Sequence, residues 1–276
     1  MPVNKEAQKV LSEVFFFILV AVVLFCTIFP FLWMVLASFK SMVDLLNLDK
    51  MFAFIPTLQN YGDVFGKYEF LKPMWNSLYV GVASTVLSLV LGLPAAYSIA
   101  REKQNLFASV ILVIRIIPAI SFLVPWYILF MKINLIGTYT SLILAHLLVA
   151  LPLIIWIMIP YYESMPKELE QAAWVDGCSR VGTFVRIMLP LSAPGILTAS
   201  LLAFIFSWNN FIFALVLCTN DTKTLPTAVF NFVSYTEINW GGLMAAAVAI
   251  TAPILVISLM LQKYIIKGLT AGAVKG

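Results

Sequence analysis

Charged side chains are scarce in this sequence of 276 residues: they make up 11% of it, whereas 62% of the residues are apolar. Soluble domains are about half apolar and about one quarter charged. A chain this apolar has too little polar surface to cover a core in water, so lipid must be its solvent. The length allows one compact membrane domain and leaves no room for a large soluble one.

Cysteine and histidine are also rare, with three cysteines that lie far apart and a single histidine, His146. No CxxC or Cys/His ligand spacing occurs, which argues against a structural metal and a disulfide framework. HExxH and GxSxG motifs are absent as well. The nearest approach to a phosphate-binding loop, Gly62 to Tyr68, has one residue too few between its glycines and a tyrosine where serine or threonine is needed. We therefore expect no metal, cofactor or catalytic site in this chain.

Long apolar runs are abundant instead. A membrane-spanning helix needs about 20 mostly apolar residues, and continuous runs favour helices over a barrel, whose strands alternate. We predict an all-α, polytopic membrane protein with six transmembrane helices. We divide it into residues 1–73, an N-terminal helix and outer loop, and residues 74–276, a core of five helices. The six predicted spans are Val14 to Phe39, Met74 to Ala100, Leu106 to Met131, Tyr139 to Pro160, Gly195 to Cys218 and Leu243 to Ile266.

The distribution of basic residues predicts the orientation of these spans. With both termini cytoplasmic, ten of the seventeen basic residues lie on the cytoplasmic side, six lie outside, and Arg115 lies within a span. Cytoplasmic loops carry an excess of lysine and arginine, so this orientation is favoured. The net charge of +4 is modest and the basic residues are not clustered, which argues against nucleic acid as a partner.

A long loop at residues 161–194 is then cytoplasmic, and a long ordered loop is often functional. Ser164 is a candidate cap and Pro166 suits a first turn, so a helix is predicted to start here and to stop at Gly177. A second helical stretch is predicted from about Val181 to Met188. In the first helix, positions at spacing 0, 3, 4 and 7 share a small, apolar face; they are Leu169, Ala172, Ala173 and Asp176. Two alternatives stay open for that face: docking of another protein, or packing under the chain's own bundle.

The same loop resembles the EAA loop of ABC importer permeases. That family pattern reads Glu-Ala-Ala, three residues, Gly, nine residues, Ile-x-Leu-Pro, and it is matched by Ala172, Ala173, Gly177, Ile187, Leu189 and Pro190. Gln171 departs from it, because the family has glutamate there. The loss of this charge puts a salt bridge from Gln171 to a partner in doubt, and Glu170 is a candidate to replace it.

Other segments resemble the sugar-importer branch of that family, of the maltose, multiple-sugar and glycerol-phosphate type. They are Phe54 to Tyr61 in the outer loop, Trp208 to Phe211 in the fifth span, and the end of the chain from Gly268 to Gly276. With the predicted spans, the resemblance covers nearly the whole chain. It implies the type I ABC importer permease fold and a bacterial cytoplasmic (inner) membrane location.

The resemblance also implies a function: a permease subunit of an ATP-driven, binding-protein-dependent importer of a sugar, an oligosaccharide or a polyol. The implied partners are a second permease subunit in a heterodimer, two ATP-binding subunits that carry ATP and Mg²⁺, and an extracytoplasmic solute-binding protein. This chain would itself not be an enzyme. The residues implied to couple it to the ATPases are Glu170, Gln171, Ala172, Ala173, Asp176 and Gly177.

The sequence argues against two alternatives to a permease subunit. An ion-coupled secondary carrier needs an ion site and often internal repeats, and the spans hold no clear aspartate or glutamate for a proton or ion relay. An intramembrane enzyme needs a catalytic constellation, which the sequence does not show.

Four polar or aromatic residues within the spans are candidates for the substrate path. Arg115 is one, because a charge in a membrane span is a functional candidate, although snorkelling or a tie between helices is the favoured alternative. Trp208, Asn209 and Asn210 offer amides and an aromatic plane, which suit the hydroxyls and apolar faces of sugars. Hydrogen bonding between helices is the alternative for these three, and it is the role that we expect for His146.

Overall fold

The computed structural model describes residues 5–233 and 238–271, with side chains described at residue 9 and over 11–233 and 238–262. Its α-helices, in chain order, are α1 (Lys5–Ser38), α2 (Met42–Leu45), α3 (Gln59–Gly62), α4 (Leu71–Arg101), α5 (Asn105–Ile116), α6 (Leu123–Lys132), α7 (Tyr139–Ser164), α8 (Glu168–Val175), α9 (Arg180–Thr183), α10 (Leu189–Leu191), α11 (Ala193–Trp208), α12 (Ile212–Leu217), α13 (Leu225–Ala228) and α14 (Trp240–Ala271). Single turns of 3₁₀-helix cover Leu48–Lys50, Ala119–Phe122 and Val229–Phe232, and π-helix covers Asp63–Lys67 and Phe184–Met188. Over these ranges, extended pairing is limited to one isolated bridge, between Val233 and Ile238.

Helices long and apolar enough to cross a membrane bear out the predicted helical membrane fold. Among the described residues, four helices qualify alone: Leu11–Ser38, Leu71–Arg101, Tyr139–Ser164 and Trp240–Gln262. Six candidate spans are reached when each of two bent pairs counts as one, namely Asn105–Ile116 with Ala119–Lys132, and Arg180–Leu191 with Ala193–Trp208.

The predicted third span is not one straight helix. Its two halves meet at 89°, where Ile117 leaves the helical region with ψ of 124°. Pro118 follows directly, and a proline disfavours the α conformation of the residue before it. The predicted span from Leu106 to Met131 therefore corresponds to a bent pair of helices.

The predicted fifth span, Gly195 to Cys218, is also interrupted. Its first half, α11, ends at Trp208, and α12 begins only at Ile212. Asn209 and Asn210 therefore lie in a break of the helix, not in the middle of a continuous one. Short polar side chains compete for backbone hydrogen bonds and favour helix ends, which accounts for the interruption at this point.

The chain divides into two compact units, residues 1–69 with 229–249 and residues 70–228 with 250–276. In the first unit the buried Lys40 fastens the segment after α1 to the end of that helix. Its ammonium donates to the carbonyls of Lys50 and Met51, at 3.1 and 2.5 Å, and lies over the rings of Trp33 and Phe54. The predicted division at residue 73 stays a prediction.

In the second unit α4, α7 and α11 form the core. Small residues let the helices approach closely, which is the usual packing device in membranes. A Cβ added to Gly92 on α4 would come within 3.1 Å of Ile154 on α7, and one on Gly81 within 2.9 Å of the Phe204 ring on α11. The apolar core between these helices carries α8 and its flanking loop at one end.

Candidate functional site

The helix α8 lies where the sequence predicted a helix, from Glu168 to Val175. Its start differs from the prediction, because Ser164 is the last residue of α7. The Ser164 hydroxyl donates to the carbonyl of Tyr161 at 2.7 Å, so it does not cap α8. Lys167 is the residue at the helix start, and no side chain caps that end. Glu168 and Glu170 in the first turn instead favour the positive end of the helix.

The end of α8 is a complete Schellman stop, as the glycine in the sequence predicted. Gly177 has φ of +84°. Its amide donates to the carbonyl of Trp174 at 3.1 Å, and the amide of Cys178 donates to that of Ala173 at 2.9 Å. These are the two hydrogen bonds that define this motif. Gly177 therefore fixes where α8 ends and how the chain leaves it.

The two sides of α8 have different surroundings. Glu170 and Ala173 are buried, at 4% and 3% exposure, and they turn towards the core of the second unit. The opposite side is exposed and has the helical spacing 0, 3, 4 and 7; its members are Glu168, Gln171, Ala172 and Val175. We call these four residues the outer face of α8.

This division corrects the predicted small face. Ala172 and Ala173 were expected to present one surface together, but only Ala172 lies on the exposed side, while Ala173 packs within the chain. Leu169 and Asp176 lie between the two sides and are exposed. The physical reason is the burial of Glu170, which fixes the rotation of the helix about its axis and takes Ala173 inward.

Glu170 is held by an ion pair with Arg101, the last residue of α4. The Arg101 Nε donates to Glu170 Oε1 at 2.5 Å, and the two side chains are 10% and 5% exposed. A second arginine nitrogen donates to the carbonyl of Met165 at 3.3 Å. The carboxylate of Glu170 is thus engaged inside the chain, whereas Gln171 lies on the outer face of α8. The coupling role of both residues stays a prediction.

The second half of the loop continues as the sequence predicted, through α9 and the π-turn Phe184–Met188. Ser179 caps α9 by accepting from the amide of Gly182 at 3.1 Å. Met188 is fully buried, whereas Val181 and Val185 are exposed by 72% and 51%. Aliphatic side chains are therefore exposed on α9 and on the π-turn, and Val175 on the outer face of α8 is 86% exposed.

A cavity of about 490 Å³ lies where the breaks of the third and fifth predicted spans meet. Ala119 and Ile120 line it from the first break, and Asn209 and Asn210 from the second. Irregular backbone at membrane depth occurs where it is buried in protein or lines a cavity. The volume falls in the range of small-molecule sites, about 300–1,000 Å³.

The two asparagines differ in what they do there. Asn210 is half-buried, and its Oδ1 accepts from the amide of Phe213 at 3.1 Å, so it caps the start of α12. Asn209 is exposed and lines the cavity. The structure brings these two predicted path residues together, and Asn209 is the one with its side chain most open to a ligand.

Trp208 and Arg115 lie elsewhere. Trp208 is 2% exposed, and its indole donates to the carbonyl of Ile250 at 3.1 Å, which favours the interhelical alternative. Arg115 is in the last turn of α5 with its guanidinium 5.9 Å from the centre of the Trp156 ring. A cation there interacts favourably with the helix end and with the ring. A direct role of Arg115 in substrate contact stays a prediction.

His146 joins a buried polar chain across three helices, as expected for it. Its Nδ1 is 2.6 Å from the hydroxyl of Ser207 on α11, and the hydroxyl of Ser84 on α4 donates to that of Ser207 at 3.2 Å. Hydrogen bonds of this kind between helices stabilise membrane bundles. Ser84 and Ser207 carry no signal in the sequence alone, since a serine in an apolar run can also bond a carbonyl of its own helix.

Arg101 is the residue of this region that sequence reasoning missed. It was counted only for orientation, as a basic residue at the end of a span. The signal that could have found it is the pair of opposite charges: Glu170 lies on the loop, and Arg101 ends a span on the same predicted side of the membrane.

These features define a class: a multi-pass helical membrane protein with a cavity at two helix breaks and an exposed helix on a long loop. Residues 88–271 match the family model described as "Binding-protein-dependent transport system inner membrane component". That is more than half of the chain, and the chain belongs to this family. It is thus a membrane component of a transport system, not an enzyme.

Relatives and a solved structure agree with this assignment. The trehalose/maltose transport system permease protein MalG of Thermococcus litoralis is 33% identical, over 98% of this chain and 99% of its own. The trehalose transport system permease protein SugB of Mycobacterium tuberculosis is 36% identical, over 90% and 92%. A bacterial ABC transporter involved in the import of the acidic polysaccharide alginate matches with a TM-score of 0.80 and 19% identity, over 96% of this chain and 99% of that one. This last likeness shows the fold alone, and it confirms the predicted ABC importer permease fold.

The end of the chain lies largely outside the described residues. The segment from Gly268 to Gly276 resembled the sugar-importer branch, but residues 272–276 lie outside the described part of the structure, and no side chain is described beyond residue 262.

Proposed function

We propose that this chain is a permease subunit of an ATP-driven carbohydrate importer. It pairs with a second, different permease subunit, and two ATPase subunits bind the cytoplasmic side and hold ATP and Mg²⁺. A solute-binding protein delivers the substrate from outside. Both termini and the loop that carries α8 lie in the cytoplasm, as the basic residues favour.

The proposed coupling to the ATPase subunits is supported by one observation, the outer face of α8. The helix is anchored on one side by Glu170 and Ala173, and it ends in a fixed stop at Gly177. Its other side presents a small residue, Ala172, beside the strongly exposed Val175. An exposed apolar patch on a rigidly held element is typical of an interface. The ATPase subunit is its proposed occupant, because the family works through separate partner proteins.

The carbohydrate part rests on the chemistry of the cavity and on the relatives. The names of both relatives given above specify disaccharide transport. Amides such as Asn209 suit sugar hydroxyls, and the apolar side chains that surround them suit the faces of the ring. The class of substrate proposed is therefore a neutral saccharide, from a disaccharide to a short oligosaccharide.

In the proposed mechanism, closure of the two ATPases on ATP shifts α8. The membrane helices then pass from an inward-open to an outward-open state, in which the binding protein releases its saccharide into the path. Hydrolysis returns the chain to the first state. The binding energy of ATP thus biases a two-state element at a distance.

The experiment that tests the function is uptake into liposomes. The complete complex is reconstituted with its binding protein, and labelled disaccharides are supplied on the side of that protein. Accumulation should require ATP on the ATPase side. Uptake by this chain without ATPases, or no ATP-dependent uptake of any saccharide, would contradict the proposal.

A matched pair of substitutions tests the docking face. Ala172→Leu should lower copurification of the ATPase while the chain inserts normally, because Ala172 is exposed. Ala173→Leu should lower the thermal stability of the chain itself, since overpacking a core costs about 1–3 kcal/mol. Full ATPase association of the Ala172→Leu chain would contradict docking at this face.

A further inference from the structure

The helix α4 is held by polar contacts at both of its ends. It has 31 residues, or roughly 46 Å at 1.5 Å per residue, which is enough to cross a membrane. At its first end the side-chain Nδ2 of Asn76 donates to the backbone carbonyls of Asp221 and Lys223, at 2.9 and 2.8 Å. The hydroxyl of Ser77 accepts from the amide of Leu225 at 2.8 Å. The loop before α13 is therefore tied to this end of α4.

The other end of α4 is tied to α8 by Arg101 and Glu170. Both side chains are nearly buried, and the arginine also donates to Met165 and lies 5.9 Å from the centre of the Tyr97 ring. Breaking a buried pair leaves an uncompensated charge, so such a pair resists separation much more than an exposed one does. A displacement of α8 is hence expected to move the end of α4 with it.

One helix thus connects α8 on one side of the membrane with the loop at residues 219–225 on the other side. Along its length α4 packs closely on α7 at Gly92 and on α11 at Gly81. A continuous helix with fixed contacts at both ends is one physical means of coupling distant sites.

We propose that the Arg101–Glu170 pair is the clamp through which α8 drives α4, and that both are positioning residues for the coupling of ATP hydrolysis to transport. The inference rests on the proposed function. The inference goes beyond the proposed function because the clamp lies within the chain, whereas docking uses the outer face of α8. The clamp transmits movement and does not touch saccharide or ATP.

The test is a charge exchange in the complete, purified complex. Glu170→Arg and Arg101→Glu each place two like charges at the clamp, and the double variant restores a pair with the opposite order. The readout is ATP hydrolysis stimulated by saccharide-loaded binding protein, per ATPase copurified. Each single variant should lose stimulation by at least about tenfold, because like charges in a buried site repel strongly. The double variant should recover most of it.

The control is Glu102→Gln, which breaks an exposed ion pair one residue beyond Arg101. Glu102 is exposed and lies 3.9 Å from Arg180 in an ion pair whose side chains are 56% and 84% exposed. Exposed pairs contribute little, so stimulation should change by less than about twofold.

Two results would overturn the clamp: full stimulation in both single variants, or a double variant no better than the singles. Recovery in the double variant excludes simple damage to the loop, because damage would accumulate. The proposed function is tested separately by Ala172→Leu. If that variant keeps the ATPase, docking at the outer face fails, whatever the charge exchange shows.

Discussion

Replacing Gly177 by valine removes the stop that ends α8 without creating any clash. A Cβ at this position would meet no atom within 4 Å, so the effect comes from the backbone alone, whose φ is +84°. The left-handed conformation costs an ordinary residue about 1–2 kcal/mol, and a β-branched residue lies at or above the upper end. If the backbone moves to negative φ instead, the two capping hydrogen bonds are lost at about 1 kcal/mol each.

The penalty of about 2 kcal/mol corresponds to at most roughly a thirtyfold fall in the population of correctly ended α8. The apparent affinity for the ATPase should fall with that population. The assay titrates ATPase onto membranes that contain the permease subunits. Gly177→Asn is the matched control, because asparagine tolerates the left-handed region, and Gly177→Ala should be intermediate. Equal affinity for valine and glycine, or a weaker complex with asparagine than with valine, would refute the reasoning.

Three further predictions concern orientation, the cavity and the motif. A reporter active only in the cytoplasm and fused after Gly276 should be active; a well-expressed but silent fusion would reverse the topology. Asn209→Leu should lower saccharide uptake roughly fivefold at unchanged assembly, as expected for one lost hydrogen bond of about 1 kcal/mol; Asn210→Ser is the companion that keeps a capping oxygen, and unchanged uptake by Asn209→Leu would remove that residue from the path. Gln171→Glu restores the charge that the family carries at an exposed position, so stimulated ATP hydrolysis should be retained; a strong loss would mean that the partner's socket requires an uncharged residue.

Local patterns were sufficient for the elements that local chemistry determines. The apolar runs predicted the long helices, and Gly177 predicted the end of α8 because a left-handed residue there has few alternatives. The bend at Ile117 was equally local, since Pro118 disfavours a helical residue before it. Pro118 predicts an interruption at this point, but it does not predict the angle of 89° between the two halves.

The rotation of α8 about its axis could not be predicted from its own residues. Helical spacing places Leu169, Ala172 and Ala173 on one side, but it does not say which part of that side turns inward. That depends on Arg101, 69 positions away from Glu170 in the chain. The cavity at Asn209 has the same character: it forms because the breaks of two predicted spans come together, and neither break contains information about the other.

The most direct test of the central claim is a photo-crosslink from the outer face of α8. A photoreactive amino acid replaces Val175, which is 86% exposed. In a control chain it replaces Trp75, which is 66% exposed and lies near the end of α4 opposite Arg101. In membranes that contain the whole complex, irradiation should join the chain with the probe at position 175 to the ATPase subunit, and the probe at position 75 should give no such product. A complex that hydrolyses ATP on addition of loaded binding protein, yet gives no ATPase crosslink from position 175, would contradict coupling through α8.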